Sequence, residues 1–277
     1  MKSLFLKLAK SLSSSYLTKK QATTLIKMLA KNHQIDLLLL AYNEIGILKY
    51  ENAEVSGENF FLERIVKSKL QSEKHPVVFD VGANIGKYVK TLADFFPSAE
   101  IYAFEPNFNT YQELKQFASD KIKCINAGLG SKEETQKIYT YANQQTSSHA
   151  TLYKEVLTDL HRQNEILELD FQTLTLDNFC SENNIERIHL LKIDTEGHEM
   201  EVLKGAKQMI QGGKIDMIQF EFNEMNIISR VFLKDFYEAL TDYTLHRIDS
   251  NRLIPLPVYY SLNEIFQFQN FVAIYNK

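Results

Sequence analysis

Two acids and two glycines in the first half of the chain have the types and spacing of a nucleotide site. Asp80, Gly82 and Gly86 lie within VVFDVGANIGKYVKTL, residues 77–92, and Glu105 follows 19 residues after Gly86. Glycines between a strand and a helix let a ligand approach the backbone and let the helix pack closely. An acid about 20 residues further on can accept hydrogen bonds from ribose hydroxyls. The pattern therefore predicts a nucleotide-type ligand.

The segment departs from the dinucleotide pattern at two positions. A pyrophosphate site needs G-x-G-x-x-G, whereas Asn84 stands in place of the second glycine. Asp80 at the strand end would repel a pyrophosphate, which binds at a helix N-terminus. It suits a cationic ligand, and S-adenosylmethionine carries a sulfonium and an α-amino group. We therefore predict S-adenosylmethionine as cofactor, with Asp80 holding the amino group directly or through water and Glu105 holding the ribose.

A second group of polar residues follows the predicted fourth strand, RIHLLKID. Asp194 ends this strand, and Glu196 and His198 occupy the turn into the next helix. If the methyl group of S-adenosylmethionine is transferred to a hydroxyl, a base that removes the hydroxyl proton accelerates the transfer by roughly 10²- to 10⁴-fold. We expect Asp194 nearest the sulfonium, and Glu196 or His198 as the base or the group that orients the acceptor.

Simpler roles for the same residues stay open. Glu196 could cap the helix, and His198 could be a solvated turn histidine. Asp194, Glu196 and His198 could also ligate a divalent metal, since carboxylates and imidazole are suitable donors. No independent metal motif accompanies them, so no metal is predicted. Glu221, at the end of the fifth strand, is a further acid on the acceptor side or a supporting partner.

Residues after the second and third strands are expected around the adenine. Asn126 and Gly128 lie in the turn INAGLG, where Asn126 would orient the loop and the Gly128 backbone would contact the ring. Pro106, which ends the second strand, is assigned to the same cofactor site. The polar loop at residues 146–153 would cover the cofactor or contact the acceptor, or would be an ordinary surface loop.

The elements that would position these residues alternate between strand and helix. Such alternation indicates right-handed crossovers and a mostly parallel sheet covered on both faces, an α/β fold of Rossmann-like type. The last two strands are expected to form an antiparallel edge, and TQKIYTYA an added strand. The seven predicted strands are PVVFDVG, AEIYAFEP, KIKCINAGLG, RIHLLKID, IDMIQFEFN, YTLHRID and NFVAIYN.

A helical extension, residues 1–56, is predicted before a main domain, residues 57–277. Residues 1–35 carry seven lysines and no acid, although the whole chain has a formal net charge of −4. A basic amphipathic helix of this kind either contacts a membrane surface or anionic partner, or packs its apolar stripe on the main domain. The short stripe without tryptophan favours packing. The stripe consists of Leu4, Phe5, Leu8 and Leu12.

The composition of the chain indicates the cellular compartment and the class of partner. No apolar stretch reaches the roughly 18 residues that a membrane span needs. Cys124 and Cys180 form no CxxC pair, which is typical of a reducing compartment, and we predict a cytoplasmic protein. Because the chain after residue 35 is acidic overall, nucleic-acid binding is not predicted. The sequence does not indicate an oligomeric state.

Six segments of the chain occur in the order found in one enzyme family: FDVGANIGKY, YAFEPNFNTYQEL, INAGLGSK, TLDNF, LLKIDTEGHEMEVLKGA and NFVAIYN. Over about residues 57 to 277, the chain resembles the FkbM family of S-adenosylmethionine-dependent methyltransferases. KIDTEGHEMEVLKGA is the most specific part. The resemblance implies the seven-stranded methyltransferase fold and methyl transfer to a hydroxyl oxygen. Family acceptors include sugars and polyketide-type natural products, and a glycan acceptor is expected on the resemblance alone.

Two other hypotheses stay open. A nucleotide-dependent oxidoreductase would need a pyrophosphate loop, which Asp80 and Asn84 disfavour. A binding protein that keeps the cofactor fold without catalysis would act through its basic N-terminus. The presence of all three acids, Asp80, Glu105 and Asp194, disfavours it.

Overall fold

The computed structural model describes residues 17–141, 151–160, 162 and 165–276. The chain divides into two compact units between Glu44 and Ile45. The boundary predicted at residue 57 stays a prediction. The predicted stripe at residues 4–12 lies outside the described residues, as does most of the predicted polar loop.

The first unit is helical in its described part, as predicted for the N-terminal region. It contains α1 (Lys19–His33) and α2 (Leu37–Glu44). The Thr18 hydroxyl accepts the Gln21 N–H at 3.3 Å, and the Gln21 side chain accepts the Thr18 N–H at 2.9 Å. This reciprocal capping box satisfies two backbone donors and fixes the start of α1. The helix ends at Gln34, whose φ of 54° lies in the left-handed region.

An eight-stranded sheet forms the centre of the second unit. Its strands are β1 (Val77–Val81), β2 (Glu100–Phe104), β3 (Ile122–Ile125), β7 (Leu190–Ile193), β8 (Met217–Phe222), β9 (Tyr243–Asp249), β10 (Arg252–Leu256) and β11 (Gln269–Tyr275). The order is β10-β9-β11-β8-β7-β1-β2-β3. The five strands from β8 to β3 are parallel, and β11, β9 and β10 pair antiparallel. All seven predicted strands and the antiparallel pairing of the last two are confirmed, and β10 adds an edge strand that was not predicted.

A smaller three-stranded sheet follows β3. It has the order β4-β6-β5 and consists of β4 (Gly128–Leu129), β5 (Glu134–Tyr141) and β6 (Ile166–Leu174). Strand β5 is the added strand predicted from TQKIYTYA. Strand β6 pairs with it antiparallel over eight residue pairs, and its existence was not predicted.

Helices cover both faces of the large sheet. They are α3 (Glu58–Phe60), a π-helical segment Phe61–Val66, α4 (Lys67–Leu70), α5 (Lys87–Phe95), α6 (Phe108–Leu114), α7 (Leu176–Glu182), α8 (Glu199–Gly205), α9 (Lys207–Gln211), α10 (Met225–Ser229) and α11 (Leu233–Ala239). Successive strand residues face opposite sides, so Phe79 packs in the apolar cluster with α7, α8, α9 and α11, and Val78 packs with the π-helical segment, α5 and α6. The predicted Rossmann-like fold is confirmed. None of the helices in the described part of the chain has both the length and the apolar character that crossing a membrane requires.

Candidate active site

A cavity of about 720 Å³ opens at the carboxyl ends of β1, β2, β7 and β8. The chain order of the sheet reverses between β1 and β7, which is where open α/β sheets bind ligands. Eight of the eleven residues predicted for the site line this cavity. They are Gly82, Asn84, Glu105, Pro106, Gly128, Asp194, Glu196 and His198.

Gly82 lets two strand ends come together. Its φ is +84°, and a Cβ placed on it would lie 1.8 Å from the carbonyl oxygen of Asp194. The prediction assigned this glycine to close approach by a ligand, and the structure adds that the backbone after β7 already fills the space. Gly86, also at φ +84°, is not among the described residues that line the cavity. A Cβ there would lie 2.6 Å from the ring of Phe117, so Gly86 packs the start of α5 against that ring.

Glu105 is held by backbone donors at the end of β2. Its two carboxylate oxygens accept the N–H of Asn84 at 3.0 Å and the N–H of Asn107 at 2.8 Å. Burial raises the pKa of Glu105 to about 7. Asn126 does not itself line the described cavity, but its Nδ2 donates to the carbonyl oxygens of Glu105 at 2.9 Å and Pro106 at 3.1 Å. These two contacts tie Asn126 to the end of β2, and its role at the cofactor stays a prediction.

Asp80 lies outside the cavity lining formed by the described residues. Its side chain is fully buried, and neither carboxylate oxygen has a hydrogen-bond partner within the described part of the chain. Lys192 Nζ lies 3.8 Å from Oδ1. Burial raises the pKa of Asp80 to about 6, and the Lys192 charge acts in the opposite direction. The predicted direct contact of Asp80 with a ligand amino group does not fit this position, because the carboxylate does not reach the cavity.

A row of polar side chains crosses the middle of the parallel sheet. Asp80 of β1 pairs in register with Lys192 of β7, and Lys192 pairs with Gln219 of β8. Lys192 Nζ also donates to Asp194 Oδ2 at 2.9 Å. Lys192 is 6 % exposed, and its ammonium lies between the buried Asp80 of β1 and Asp194, which lines the cavity after β7.

Sequence reasoning missed the partners of this row on the α3 and α5 side. Tyr88 Oη donates to Gln219 Oε1 at 2.8 Å, and Gln219 Nε2 donates to Glu58 Oε1 at 3.2 Å. The Lys192 ammonium lies 4.6 Å from the centroid of the Tyr88 ring, which is within range of a cation–π contact. The available signal was a polar residue in the middle of each apolar strand, Lys192 in HLLKID and Gln219 in MIQFEF.

Glu199 closes the turn after β7. Glu199 Oε1 accepts from the backbone N–H groups of Thr195 at 2.9 Å and Gly197 at 3.2 Å, and from the Thr195 hydroxyl at 3.1 Å. Glu196 has a φ of 55° and Gly197 a φ of 100°, so two successive residues adopt left-handed conformations. A non-glycine residue in this region is uncommon and carries strain. Glu199 therefore caps this strained turn, and the capping role considered for Glu196 stays a prediction.

Glu196 and Glu221 are acids in an acidic part of the cavity. Burial raises the pKa of Glu196 well above its ordinary value, and the charges of Asp194 and Glu199 raise it further. Burial, Asp194 and Glu196 act in the same direction on the pKa of Glu221. Removal of water and like charges both disfavour the ionised form, and a positive charge nearby would favour it.

His198 is buried in the cavity wall, with 7 % of its surface exposed. Neither ring nitrogen has a hydrogen-bond partner in the part of the chain that the structure describes. Burial lowers the pKa of His198 to about 4, so the ring is neutral at pH 7. The alternative of a solvated turn histidine is therefore wrong. A neutral buried imidazole can exchange a hydrogen bond with a ligand hydroxyl, but at this pKa it is a weak base.

The charges that line the cavity are of one sign. Its described lining contains five carboxylates and no lysine or arginine. The carboxylates belong to Glu105, Asp194, Glu196, Glu221 and Glu224. A low-dielectric cleft with one sign of charge attracts ligands of the opposite sign. The cavity therefore favours a cationic ligand over a pyrophosphate.

The metal site considered for Asp194, Glu196 and His198 is not formed. Among residues 17–141, 151–160, 162 and 165–276, no three His, Cys, Asp or Glu side chains are grouped as metal ligands.

Leu48 and Tyr50 from the segment before α3, and Phe171 from β6, also line the cavity and were not predicted.

Comparison with known protein families identifies the family of this chain. The model of the methyltransferase FkbM domain matches residues 80–243, more than half of the chain. The chain belongs to the FkbM methyltransferase family. The FkbM match runs from Asp80 in β1 to Tyr243 in β9, and it contains every residue predicted for the site.

Named relatives of this FkbM chain align with about half of it. Methyltransferase 1 of Beauveria bassiana is 31% identical over 144 residues, which cover 46% of this chain and 57% of the relative. Hexuronic acid methyltransferase AglP of Haloferax volcanii is 25% identical over 144 residues, 51% of this chain and 54% of the relative. 2-O-methyltransferase NoeI of Sinorhizobium fredii is 24% identical over 173 residues, 57% of this chain and 68% of the relative. The FkbM chain thus spans little more than half the length of the first of these relatives.

Proposed function

We propose that this chain is an S-adenosylmethionine-dependent methyltransferase that acts on a hydroxyl oxygen of a carbohydrate or a similar small molecule. The observation that carries the proposal is the cavity beside Gly82, lined in its described part by five carboxylates and by no lysine or arginine. A sulfonium and an ammonium group complement that charge, whereas the phosphates of a dinucleotide do not.

Glu105 and Asp194 would hold opposite ends of the cofactor. They follow β2 and β7, which have β1 between them, so their strands lie roughly 10 Å apart at a strand spacing of about 4.8 Å. Glu105 would accept hydrogen bonds from the ribose hydroxyls. Asp194 would face the sulfonium and ammonium groups of the cofactor. Gly128 and Pro106, which line the cavity near Glu105, would bound the adenine.

Glu196 would take the proton of the acceptor hydroxyl. Bound S-adenosylmethionine supplies an electrophilic methyl group, so that the acceptor oxygen gains a C–O bond while the C–S bond breaks and its electron pair stays on sulfur. Burial and the charges of Asp194 and Glu199 raise the pKa of Glu196 well above its ordinary value, which favours the protonated form. A positive charge nearby lowers the pKa of an acid. Glu196 would therefore become a base when the cofactor binds, which ties proton removal to the presence of the methyl donor.

Names of relatives support a carbohydrate hydroxyl as acceptor. AglP is named as a hexuronic acid methyltransferase and NoeI as a 2-O-methyltransferase. Glu221 and Glu224 line the cavity on the β8 side, one strand further from Glu105 than Asp194. Carboxyl groups accept hydrogen bonds from hydroxyls, so these two acids suit a polyhydroxylated acceptor.

We expect Glu105→Gln to weaken binding of S-adenosylhomocysteine by roughly 10- to 100-fold, since a hydrogen bond to a charged acceptor contributes about 1.5–3 kcal/mol. Isothermal titration of the purified chain with S-adenosylhomocysteine and, separately, with NAD measures this. Glu113→Gln, an exposed change on α6, is the matched control and should bind as the wild type does. Binding of NAD in place of S-adenosylhomocysteine would contradict the proposal and favour an oxidoreductase.

The same titration has an expected pH dependence. Burial raises the pKa of Glu105 to about 7, and the ribose contact requires the ionised carboxylate. Affinity should therefore rise by about tenfold from pH 6 to pH 8, as the carboxyl loses its proton. Glu105→Gln should remove this slope. A slope of the opposite sign would show that the ligand binds a protonated group.

Assignment of the base gives a separate prediction. Glu196→Gln should lower kcat by roughly 10²- to 10⁴-fold, the usual contribution of a general base. Binding of S-adenosylhomocysteine should persist, because the side chain keeps its size. Methyl transfer is measured by mass spectrometry with an acceptor selected from a panel of glycosides. If His198→Gln abolishes kcat and Glu196→Gln does not, the imidazole is the base despite its low pKa.

A further inference from the structure

The described part of the first unit exposes most of its apolar side chains. Ala30 alone is buried among the residues described before Ile45. Ile26 and Leu29 on α1 are 53% and 43% exposed, and Leu38 on α2 is 58% exposed. Burial of apolar surface is the main driving force of folding, so two helices that keep so many leucines in water have a surface suited to a partner.

Helix α1 has one apolar side. Leu25, Ile26 and Leu29 follow the spacing i, i+1, i+4, and Ala22 lies one turn before them. This spacing places them on one stripe of the helix. The stripe is continuous over two turns, and the capping box at Thr18 fixes the start of the helix that carries it.

The opposite side of α1 is basic. Lys20, Lys27 and Lys31 are separated by seven and four residues, which puts them on one face at about 100° per residue. The helix sequence KKQATTLIKMLAKNH contains no acid to neutralise them. An amphipathic helix with a lysine-rich polar face and a leucine-rich apolar face is the type that lies in the plane of a membrane interface.

Helix α2 extends the apolar surface. Leu37, Leu38, Leu39 and Leu40 are consecutive and between 39% and 58% exposed. Four consecutive residues point to all sides of a helix, so contact with a single flat protein face would leave some of these leucines in water. A lipid interface surrounds an embedded helix on several sides and can cover them.

We propose that residues 19–40 dock on the surface of an anionic lipid bilayer. The leucine and isoleucine side chains of α1 and α2 enter the boundary between headgroups and acyl chains, and Lys20, Lys27 and Lys31 attract the negative headgroups. A second copy of the chain is a poorer occupant. A two-fold dimer would bury the two apolar stripes against each other, and because α1 contains no acid, Lys20, Lys27 and Lys31 would gain no anionic partner from the second α1.

The test is co-sedimentation of the full chain with vesicles of phosphatidylcholine, alone or mixed with phosphatidylserine. The chain should sediment with the mixed vesicles and release at high salt. Replacement of Lys20, Lys27 and Lys31 with glutamate should lower the partition coefficient by roughly 100-fold or more, since each lysine near an anionic surface contributes about fivefold and each glutamate adds repulsion. The matched control reverses three exposed lysines of the second unit, Lys67, Lys69 and Lys74, and should bind as the wild type does.

A second variant tests the apolar contribution. Leu38→Ser with Leu39→Ser should also release the chain from mixed vesicles, while circular dichroism and titration with S-adenosylhomocysteine confirm that the rest is folded. Equal binding to both vesicle types overturns the role of the lysines, and no binding to either overturns the proposal. Vesicle-independent dimers in light scattering that the leucine variant abolishes would identify a second copy as the occupant.

Discussion

Gly82→Ala should leave little folded protein. A Cβ at this position would meet the carbonyl oxygen of Asp194 at 1.8 Å, and the φ of +84° is unfavourable for any L side chain. The obstacle is backbone, which cannot rotate away as a flexible side chain does. Either the β1–α5 loop or the end of β7 must move, and both hold the cavity. We expect a loss of more than about 4 kcal/mol in the free energy of unfolding, an exceptional value for one methyl group.

Urea unfolding followed by circular dichroism measures this loss, with Gly212→Ala as control. Gly212 follows α9 at a φ of −75°, is exposed, and offers ordinary space apart from the Gln208 carbonyl at 3.0 Å. It should change stability by less than about 1 kcal/mol, as surface positions usually do. A Gly82→Ala chain that unfolds as the wild type does would show that the two strand ends are not in contact.

Lys192→Met should destabilise the chain by about 3–5 kcal/mol, the usual cost of removing one partner from a buried ion pair. Lys192 lies 2.9 Å from Asp194 and 3.8 Å from Asp80, and Asp80 is fully buried. Methionine keeps most of the volume and the contact with the Tyr88 ring but supplies no charge. The variant therefore isolates the ammonium, and urea unfolding at pH 5 and pH 8 measures its contribution.

The free energy of unfolding lost on Lys192→Met should be larger at pH 8 than at pH 5. Burial raises the pKa of Asp80 from an ordinary 3.8 to about 6, so folding favours its protonated form and stability falls as pH rises through that value. Without Lys192 the pKa rises further and the penalty at pH 8 grows. Asp80→Asn should restore part of the stability in the Lys192→Met background, since it removes the orphaned charge. Equal losses at both pH values, with no rescue, would place the effect in packing instead of charge.

The sequence was sufficient to predict the parts of the fold that repeat a simple pattern. The strands around VVFDV and LLKI are short, apolar and followed by polar or glycine-containing turns, so their type and order are local properties. The carboxyl ends of parallel strands meet at one sheet edge, which is why Glu105 and Asp194 could be assigned to one cavity before its geometry was known.

Other features depend on contacts between distant segments. Glu58 lies 161 residues from Gln219 in sequence, and no local pattern pairs them. Strand β6 was missed although LELDFQ, residues 167–172, alternates apolar and polar side chains, and only its second half contains buried residues. The sequence could not show that the Asp80 side chain is fully buried beside Lys192, because that depends on pairing with β7, and its contact with the cofactor through water stays a prediction.

The position of β11 has a consequence for how the chain is made. This strand, Gln269–Tyr275, lies between β8 and β9, although it is the last strand in sequence. While the nascent chain leaves the ribosome, β8 keeps an open edge and the β9–β10 hairpin has no neighbour to join. Vectorial synthesis therefore supplies every loop of the cavity before it supplies the strand that joins the two parts of the sheet. A chain that stops directly before Gln269 would keep the residues described as lining the cavity, but its large sheet would be divided and prone to pairing with other chains.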